Sequence, residues 1–295
     1  MMDLTGLLPW GGLAGATLAE ADVVVGGIPY DGSAAYRKGA AQAPERIRSL
    51  SAVMPPVTED GRHLFGMAVH DLGDLDAGLA IEASWRGIAD TLAHIPPRAL
   101  LTMMGGDHCS TIPIVAAQAR RHPDLRVLWV DAHPDLCDFS RGGSWTCGCA
   151  LRRALEVADL PPSAAAVAGG RDYDLEELEF MKQHGMLLIG SPELARDPDA
   201  AARRVAAWTG GKPVHVSFDI DVLDPAAAPG TEIPSPGGLS TRNALDFLAT
   251  LAGGAHLVGI DVTEVAPPAD HNDITSLAAL KIIFEFWGRA WKPRT

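Results

Sequence analysis

The stretch LRVLWVDAHPDLCD, residues 125–138, carries the pattern that decides the fold. Its first half is an apolar run of strand length, and its second half is polar. A strand that is apolar on both faces is typical of a parallel sheet covered by helices on both sides. The polar residues then follow the carboxyl end of the strand, where open parallel sheets bind their ligands.

Similar apolar runs recur along the chain, at residues 21–27, 67–74, 98–108, 164–171, 185–190, 213–222 and 256–265. Segments with helical spacing, such as residues 111–121 and 174–185, separate many of them. This alternation predicts an α/β fold, a three-layer α/β/α arrangement around a central, mostly parallel sheet. No long linker or internal repeat is visible, so we expect a single domain over residues 1–295, with an ordered Pro- and Gly-rich loop at residues 224–240.

Composition excludes several classes of protein. A hydrophobic share of 47% with 21% charged residues is typical of a folded globular chain. The net charge of -13 argues against a nucleic-acid partner, because such binding depends on clustered Lys and Arg. The sequence shows neither a signal-peptide pattern nor an apolar run of ~18 residues, and its four cysteines are too few for a disulfide framework. We therefore expect a cytoplasmic protein with no membrane partner.

Acidic and imidazole groups alternate at the ends of two predicted strands. In DAHPD they are Asp131, His133 and Asp135, and in FDID they are Asp219 and Asp221. An extended chain sends alternate side chains to the same face, so this spacing directs several ligands at one point. Both motifs lie at the edge where parallel sheets bind ligands.

A further imidazole, His108 in GGDH, follows another strand. Clustered carboxylates are costly to bury unpaired, and two divalent cations would neutralise four of them. We therefore predict a binuclear metal site formed by His108, Asp131, His133, Asp135, Asp219 and Asp221. Because six side chains must serve two ions, we expect Asp131 and Asp219 to bridge them. The two ions would then lie about 3.5 to 4 Å apart. Carboxylate and imidazole ligands suit Mn²⁺ best, with Zn²⁺, Ni²⁺ and Co²⁺ possible, and water held between such ions becomes a nucleophile.

Each motif has a simpler interpretation when taken alone. The Asp and His of GGDH are also typical capping groups after a Gly-Gly turn. DAHPD is compatible with one structural metal site or with a solvated turn. The occurrence of all the motifs at strand ends favours the binuclear site.

Together, GGDH, DAHPD and SFDIDVLDP followed by APGT and PGGL resemble the signature motifs of the ureohydrolase (arginase/agmatinase) family. Residues 27–48, 70–74 and 259–273 extend the resemblance over nearly the whole chain. It implies an arginase-like fold and a binuclear manganese hydrolase that cleaves an agmatine-like guanidino compound to urea and an amine. It also implies a small-molecule substrate and a homo-oligomer, either a trimer or a hexamer.

The resemblance also implies roles for individual residues. One Mn²⁺ would be held by His108, Asp131, Asp135 and Asp219, and the other by Asp131, His133, Asp219 and Asp221. Water held by both ions would attack the guanidinium carbon. Asp135 would pass a proton to the leaving amine, and Glu264 would pair with the guanidinium. Glu264 has a simpler alternative role as a cap of the loop that follows it.

Some positions depart from the family pattern. Cys147, in GSWTCGCALRRALE at residues 143–156, replaces the usual His of a His-Gly pair, so we expect it to line the site, with Cys149 as packing. Glu232 replaces a Gly in TEIPSPGGL, where it either selects a cationic substrate tail or projects into water. Asp174 falls where arginases bind the substrate's α-amino group, but Glu177 three residues later favours a helix N-cap equally.

Cys109, in GGDHC, is expected to be a small buried thiol. Arginine itself is a disfavoured substrate, because the loop that recognises its α-carboxylate in arginases has no counterpart in RGGSWTCGC. Two alternatives stay open: a formimino-type hydrolase of the same family, similar to formiminoglutamase, and a metal-binding pseudoenzyme. A dinucleotide-binding dehydrogenase fits less well, because VVVGGIPYDG lacks GxGxxG.

Overall fold

The computed structural model describes residues 8–292, which form one eight-stranded sheet in the order β2-β1-β3-β8-β7-β4-β5-β6. The strands are β1 (Val23–Gly27), β2 (Val69–Asp74), β3 (Leu100–Met104), β4 (Arg126–Val130), β5 (Ala165–Gly170), β6 (Leu187–Gly190), β7 (Pro213–Asp219) and β8 (His256–Thr263). Every neighbouring pair is parallel. The apolar runs of the sequence therefore correspond to the strands, and the sheet is entirely parallel rather than mostly so.

Helices cover both faces of this sheet. They are α1 (Ala43–Ser51), α2 (Ile81–Ala93), α3 (Thr111–Arg121), α4 (Ala150–Val157), α5 (Leu175–Gln183), α6 (Ser191–Arg196), α7 (Pro198–Thr209), α8 (Thr241–Gly254) and α9 (Ile274–Ala290). Alternate residues of β4 point to opposite layers: Trp129 packs in the core with α2 to α5, and Leu128 in the core with α1 and α6 to α9. The predicted α/β/α architecture is confirmed. Within residues 8–292, no helix is long and apolar enough to cross a bilayer.

Four neighbouring strands at the centre of the sheet, β3, β8, β7 and β4, carry the polar motifs at their carboxyl ends. His108 follows β3, Glu264 follows β8, Asp219 ends β7 and Asp131 follows β4. Because parallel strands end at the same edge, residues far apart in sequence meet there.

The Gly-Gly turn after β3 has a steric reason. A Cβ at Gly106 would lie 1.8 Å from the carbonyl oxygen of Tyr30, which is backbone and unable to rotate away. The adjoining Asp107 amide donates to that same carbonyl at 2.6 Å, so the turn and the Tyr30 segment are held together. Glycine is therefore required for His108 to reach the sheet edge in this position.

We predict that Gly106→Ala destabilises the protein by about 2 kcal/mol or more, because the added methyl group overpacks rigid backbone. Denaturant unfolding measures the change. Gly87→Ala is the control, since Gly87 lies on the exposed face of α2 with nothing within 4 Å of an added Cβ. That variant is expected to be stabilised by roughly 0.5–1 kcal/mol. Equal stability of the two variants would contradict the steric account.

Candidate active site

The first group of site residues surrounds the imidazole of His108. Its Nδ1 lies 3.0 Å from Asp131 Oδ2, 3.2 Å from Asp135 Oδ2 and 3.0 Å from Asp219 Oδ2. Neither His108 Nδ1 nor Asp131 Oδ2 has a hydrogen-bond partner, although both atoms are buried. Converging lone pairs without hydrogen bonds are the arrangement that cation coordination requires.

A second group surrounds His133. Its Nδ1 lies 3.4 Å from Asp131 Oδ1 and 3.1 Å from Asp221 Oδ2. Asp131 therefore directs one oxygen to each group, which is the geometry of a bridging carboxylate. Asp219 directs Oδ2 to the first group, and its Oδ1 accepts a hydrogen bond from the Asp221 amide at 2.7 Å. Asp131 Oδ1 likewise accepts from the His133 amide at 2.6 Å, so in both residues a main-chain hydrogen bond fixes one carboxylate oxygen.

The buried carboxylates shift each other's pKa. Burial raises the pKa of Asp135 to about 7, and the charge of Asp131 adds to the rise. Burial also raises the pKa of Asp219 well above its usual range, with further contributions from Asp221 and Asp131. Burial lowers the pKa of His108, but its three carboxylate partners outweigh this effect and raise it well above its ordinary value. The group therefore takes up protons at neutral pH unless divalent cations replace them.

The far side of His108 is held by a hydrogen-bonded chain. His108 Nε2 lies 3.0 Å from Ser217 Oγ, which donates to Asp261 Oδ2 at 2.9 Å. Asp261 also accepts from Thr111 Oγ1 at 2.8 Å and contacts His215 Nε2 at 2.6 Å. This chain favours the proton on Nε2 and leaves the Nδ1 lone pair free for a metal.

Sequence reasoning missed this chain, although a signal was present. His215 and Ser217 alternate with Asp219 on β7, and Ser217 pairs with Asp261 of β8 in the sheet register. All of these side chains except Asp219 are completely buried, and buried polar side chains require partners.

Asp135 and Glu264 both have left-handed backbones, with φ of 54° and 62°. Non-glycine residues in this region carry strain that the surroundings must maintain, and such strain clusters at functional sites. The main chain of His108 donates to Glu264 Oε1 at 2.8 Å, while Glu264 Oε2 is buried with no partner. Glu264 thus contacts the His108 segment across the sheet edge instead of capping the loop that follows it.

Cys147 lies on the wall of a cavity that His108, His133 and Glu264 also line, as expected for a residue that lines the site. Its Sγ is 3.3 Å from Glu264 Oε1 and 3.7 Å from Glu232 Oε2. A hydrogen bond with Cys109, burial and the charge of Glu264 all raise the pKa of the Cys147 thiol well above its ordinary value. Cys109 and Cys149 are both fully buried.

Glu232 is 2% exposed, so the alternative in which it projects into water is wrong. Its Oε1 accepts hydrogen bonds from the amides of Ala35 and Tyr36, the latter at 2.8 Å. Glu232 is therefore held in the interior because its carboxylate satisfies two main-chain amides of the loop at residues 33–36. Sequence alone gave no indication that these two segments meet.

Asp174 is the N-cap residue of α5, and its main-chain amide donates a hydrogen bond to Glu177 Oε2 at 2.9 Å. It also lines the cavity, which has a volume of about 560 Å³ and is shared by His108, His133 and Glu264. The structure therefore confirms Asp174 as a helix N-cap and also places it on the cavity wall.

Two further residues hold segments around the site: Asp107, which the sequence offered as a possible cap, and Arg171, which sequence reasoning missed. Asp107 is fully buried and accepts from Ser33 N at 2.8 Å, Ser33 Oγ at 2.6 Å and Cys109 N at 3.1 Å, so the Asp of GGDH is indeed a cap. Burial raises its pKa to about 7.

Arg171 donates to the carbonyls of Asp221 at 2.6 Å and Ser235 at 2.7 Å, which fixes the segment that follows β7 against the 224–240 loop.

Comparison with known proteins places this fold and site in one class. The sequence model of the arginase family matches residues 21–288. Proclavaminate amidinohydrolase of Streptomyces clavuligerus is 36% identical over 88% of this chain and 85% of its own length. Its solved structure matches with a TM-score of 0.81 at 34% identity, covering 92% of this chain and 93% of that one.

Two other relatives have the same level of identity. An agmatinase of Chromobacterium violaceum is 36% identical over 90% of this chain and 82% of its own length. A guanidinopropionase of Pseudomonas aeruginosa is 36% identical over 88% of this chain and 83% of its own length. The fold and the comparisons together define a hydrolase of C–N bonds in guanidino compounds. The chain belongs to the arginase family.

We predict that Asp219→Asn has opposite effects on stability with and without metal. In chelator-treated protein it should raise the free energy of unfolding by roughly 1 kcal/mol, or about 2–4 °C in Tm, because burial raises the pKa of Asp219 and folding must then take up a proton that the amide does not need. With Mn²⁺ added, the variant should be less stable than the parent, because a metal ligand is lost. Thermal unfolding in the two conditions measures both signs.

The control is Asp90→Asn on α2, whose exposed carboxylate pairs with Arg120 far from the site. It should change stability by less than about 0.5 kcal/mol in either condition. A shift of the same sign for Asp219→Asn with and without Mn²⁺ would show that Asp219 does not hold a metal.

Proposed function

We propose that the protein is a binuclear manganese hydrolase that cleaves an agmatine-like guanidino compound to urea and an amine. The observation that carries the proposal is the pair of ligand groups around His108 and His133, which share Asp131. The proposed metal ligands are His108, Asp131, His133, Asp135, Asp219 and Asp221. When bound, the two ions would supply Lewis-acid activation of water beside the guanidinium carbon.

Binding and orientation of the substrate fall to Glu264. Its Oε2 has no partner and would be available to a guanidinium, and its Oε1 is fixed by the His108 amide, so the carboxylate is held in place before substrate arrives. Charge-assisted hydrogen bonds in a buried site give both orientation and affinity. Because Glu264, Asp135 and Asp219 line the same cavity, a guanidinium bound to Glu264 would lie near the carboxylates of the proposed metal site.

Proton transfer falls to Asp135. A carboxylate in this position can take up the proton that the attacking water gives up and pass it to the leaving amine nitrogen. Its position beside His108, with Oδ2 3.2 Å from Nδ1, keeps it at the reacting centre.

An ammonium-bearing tail is supported by the acidic lining of the cavity. Asp172, Asp174 and Glu232 lie on its wall, whereas the nearby guanidinium of Arg171 is occupied by backbone carbonyls. Asp174 and Glu232 are therefore the proposed tail-binding residues. Arg141 also lines the cavity, and it favours a carboxylate tail such as that of a guanidino acid.

We also propose that residues 1–295 form a single domain and that the protein is a cytoplasmic homo-oligomer, either a trimer or a hexamer. The single domain is supported by the family model, which matches residues 21–288. The four free cysteines support the cytoplasm, and exposed apolar side chains such as Leu79 and Phe139 support the oligomer. Its net charge of -13 supports the absence of a nucleic-acid partner.

Urea release by the Mn²⁺-loaded enzyme, assayed over agmatine, 3-guanidinopropionate and arginine, tests the proposed function. Agmatine is expected to give the highest kcat/KM. Glu264→Gln should lower kcat/KM on the order of 10- to 100-fold with unchanged metal content, since one charged hydrogen-bond partner is lost. Formamide release from formiminoglutamate with no urea from any substrate would favour the formimino-type hydrolase. Metal binding without any turnover would favour a pseudoenzyme.

Cys147→His is expected to retain the fold and the metal content but to change kcat/KM or the order of substrates. The reason is that an imidazole differs from a protonated thiol in reach and proton chemistry, and its neighbours are Glu232 and Glu264. Cys149→Ser is the matched control, because Cys149 is buried beside the carbonyl of Gly143 and away from those carboxylates. Unchanged kinetics on all substrates would show that Cys147 merely lines the cavity.

A further inference from the structure

A second donor group lies beside the proposed binuclear centre. It consists of Cys147, Glu232 and Glu264, and their ligating atoms all lie within 4.8 Å of one another. The thiol is 3.3 Å from one carboxylate oxygen of Glu264 and 3.7 Å from one of Glu232. We refer to these three residues as the thiol site.

The charge of the thiol site is not balanced by protein. Among residues 8–292, no Lys, Arg or His forms an ion pair with Glu232 or Glu264 within 4.0 Å. Glu264 is 4% exposed; its Oε1 contacts the thiol and accepts from the His108 amide, while its Oε2 has no hydrogen-bond partner. A buried, unpartnered carboxylate oxygen next to a second buried carboxylate indicates a cationic ligand.

The donor atoms and their spacing identify the cation. Zn²⁺ binds thiolate at about 2.3 Å and carboxylate oxygen at about 2.0–2.2 Å in tetrahedral geometry, which sets sulfur and oxygen ligands roughly 3.5 Å apart. The two observed S···O distances, 3.3 and 3.7 Å, bracket that value. Mn²⁺, which prefers oxygen and imidazole, suits the Asp and His groups and not a thiolate.

We propose that the thiol site binds one Zn²⁺ through Cys147 Sγ, Glu232 and Glu264, with a fourth position open to the cavity. On binding, the thiol releases its proton to solvent and the ion gains three anionic ligands. No electron transfer is involved. Glu232 is positioned for this by its Oε1, which is held by the amides of Ala35 and Tyr36 while Oε2 faces the sulfur.

Another thiol in the cavity is a weaker candidate for the same ion. Cys137 lies near Asp174 and Glu177. Both oxygens of Glu177 already accept main-chain hydrogen bonds, from Leu136 at 2.8 Å and Asp174 at 2.9 Å. Metal binding there would have to displace the N-terminal cap of α5, whereas at the thiol site the Glu232 oxygen that faces the sulfur, Oε2, is not the one that accepts the main-chain hydrogen bonds.

Occupation of the thiol site has a consequence for activity, which rests on the proposed role of Glu264 toward the guanidinium. Zn²⁺ and substrate would compete for the same carboxylate, so Zn²⁺ would act as a competitive inhibitor of an enzyme activated by Mn²⁺. The thiol site would thus make turnover sensitive to a softer metal through Glu264.

Cobalt titration tests the site without reference to activity. CoCl₂ is added to Mn²⁺-loaded protein, and thiolate-to-cobalt charge-transfer absorption is followed in the near ultraviolet. The Asp and His groups contain no sulfur, so cobalt bound there gives no such band. We expect a band that saturates at one Co²⁺ per chain, that added Zn²⁺ removes, and that is absent in Cys147→Ser.

Glu232→Gln is the sharpest variant, because its Oε1 can still accept from Ala35 and Tyr36 while the ligating oxygen is replaced by an amide nitrogen. It should weaken cobalt binding at least about tenfold. Cys137→Ser and Cys149→Ser are the matched thiol controls and should retain the band at full intensity. Thermal unfolding of each variant shows that it is folded.

Kinetics give the second readout. Zn²⁺ should raise the KM of the Mn²⁺ enzyme about tenfold or more at unchanged kcat, and Cys147→Ser should require at least about tenfold more Zn²⁺ for the same effect. Absence of the cobalt band at saturation, or its survival in Cys147→Ser, overturns the proposal. If no guanidino substrate is hydrolysed, the proposed function fails, but the cobalt titration still decides the thiol site.

Discussion

The structure depends on one electrostatic constraint: four aspartates are buried together at the carboxyl edge of a parallel sheet. Such a group is unfavourable in a low-dielectric interior unless protons or cations compensate it. The raised pKa values of Asp135 and Asp219 express that cost, and the unpartnered lone pairs of His108 and Asp131 show where cations fit. The energetic cost of the sheet edge without cations and its suitability for binding them therefore have the same origin.

The surrounding fold serves this constraint in two ways. The order of the strands brings β3, β8, β7 and β4 side by side, so four chain segments deliver their polar residues to one place. Behind them, Ser217 and Asp261 hold the ring of His108 from the opposite side. Interactions of this second kind orient a ligand and set its proton, which a list of ligands alone does not reveal.

Much of the fold and the core of the candidate site could be predicted from sequence, because both follow from local patterns. Buried parallel strands are continuous apolar runs, as in residues 125–130, and alternate residues of an extended chain point the same way, as in Asp131 and His133. The position of Glu232 could not be predicted, because its burial depends on amides of residues 33–36, nearly two hundred residues away. The same holds for the contact of Cys147 with two carboxylates, which arises where three loops converge.

Glu232 joins the cavity wall to the main chain of a distant segment. Its carboxylate accepts hydrogen bonds from the amides of Ala35 and Tyr36 through one oxygen and contacts the thiol of Cys147 through the other. A change of charge at position 232 would therefore reach the backbone of residues 33–36 and the interior of the cavity at the same time. The ligand preference of the cavity and the conformation of that segment are thus linked through a single side chain.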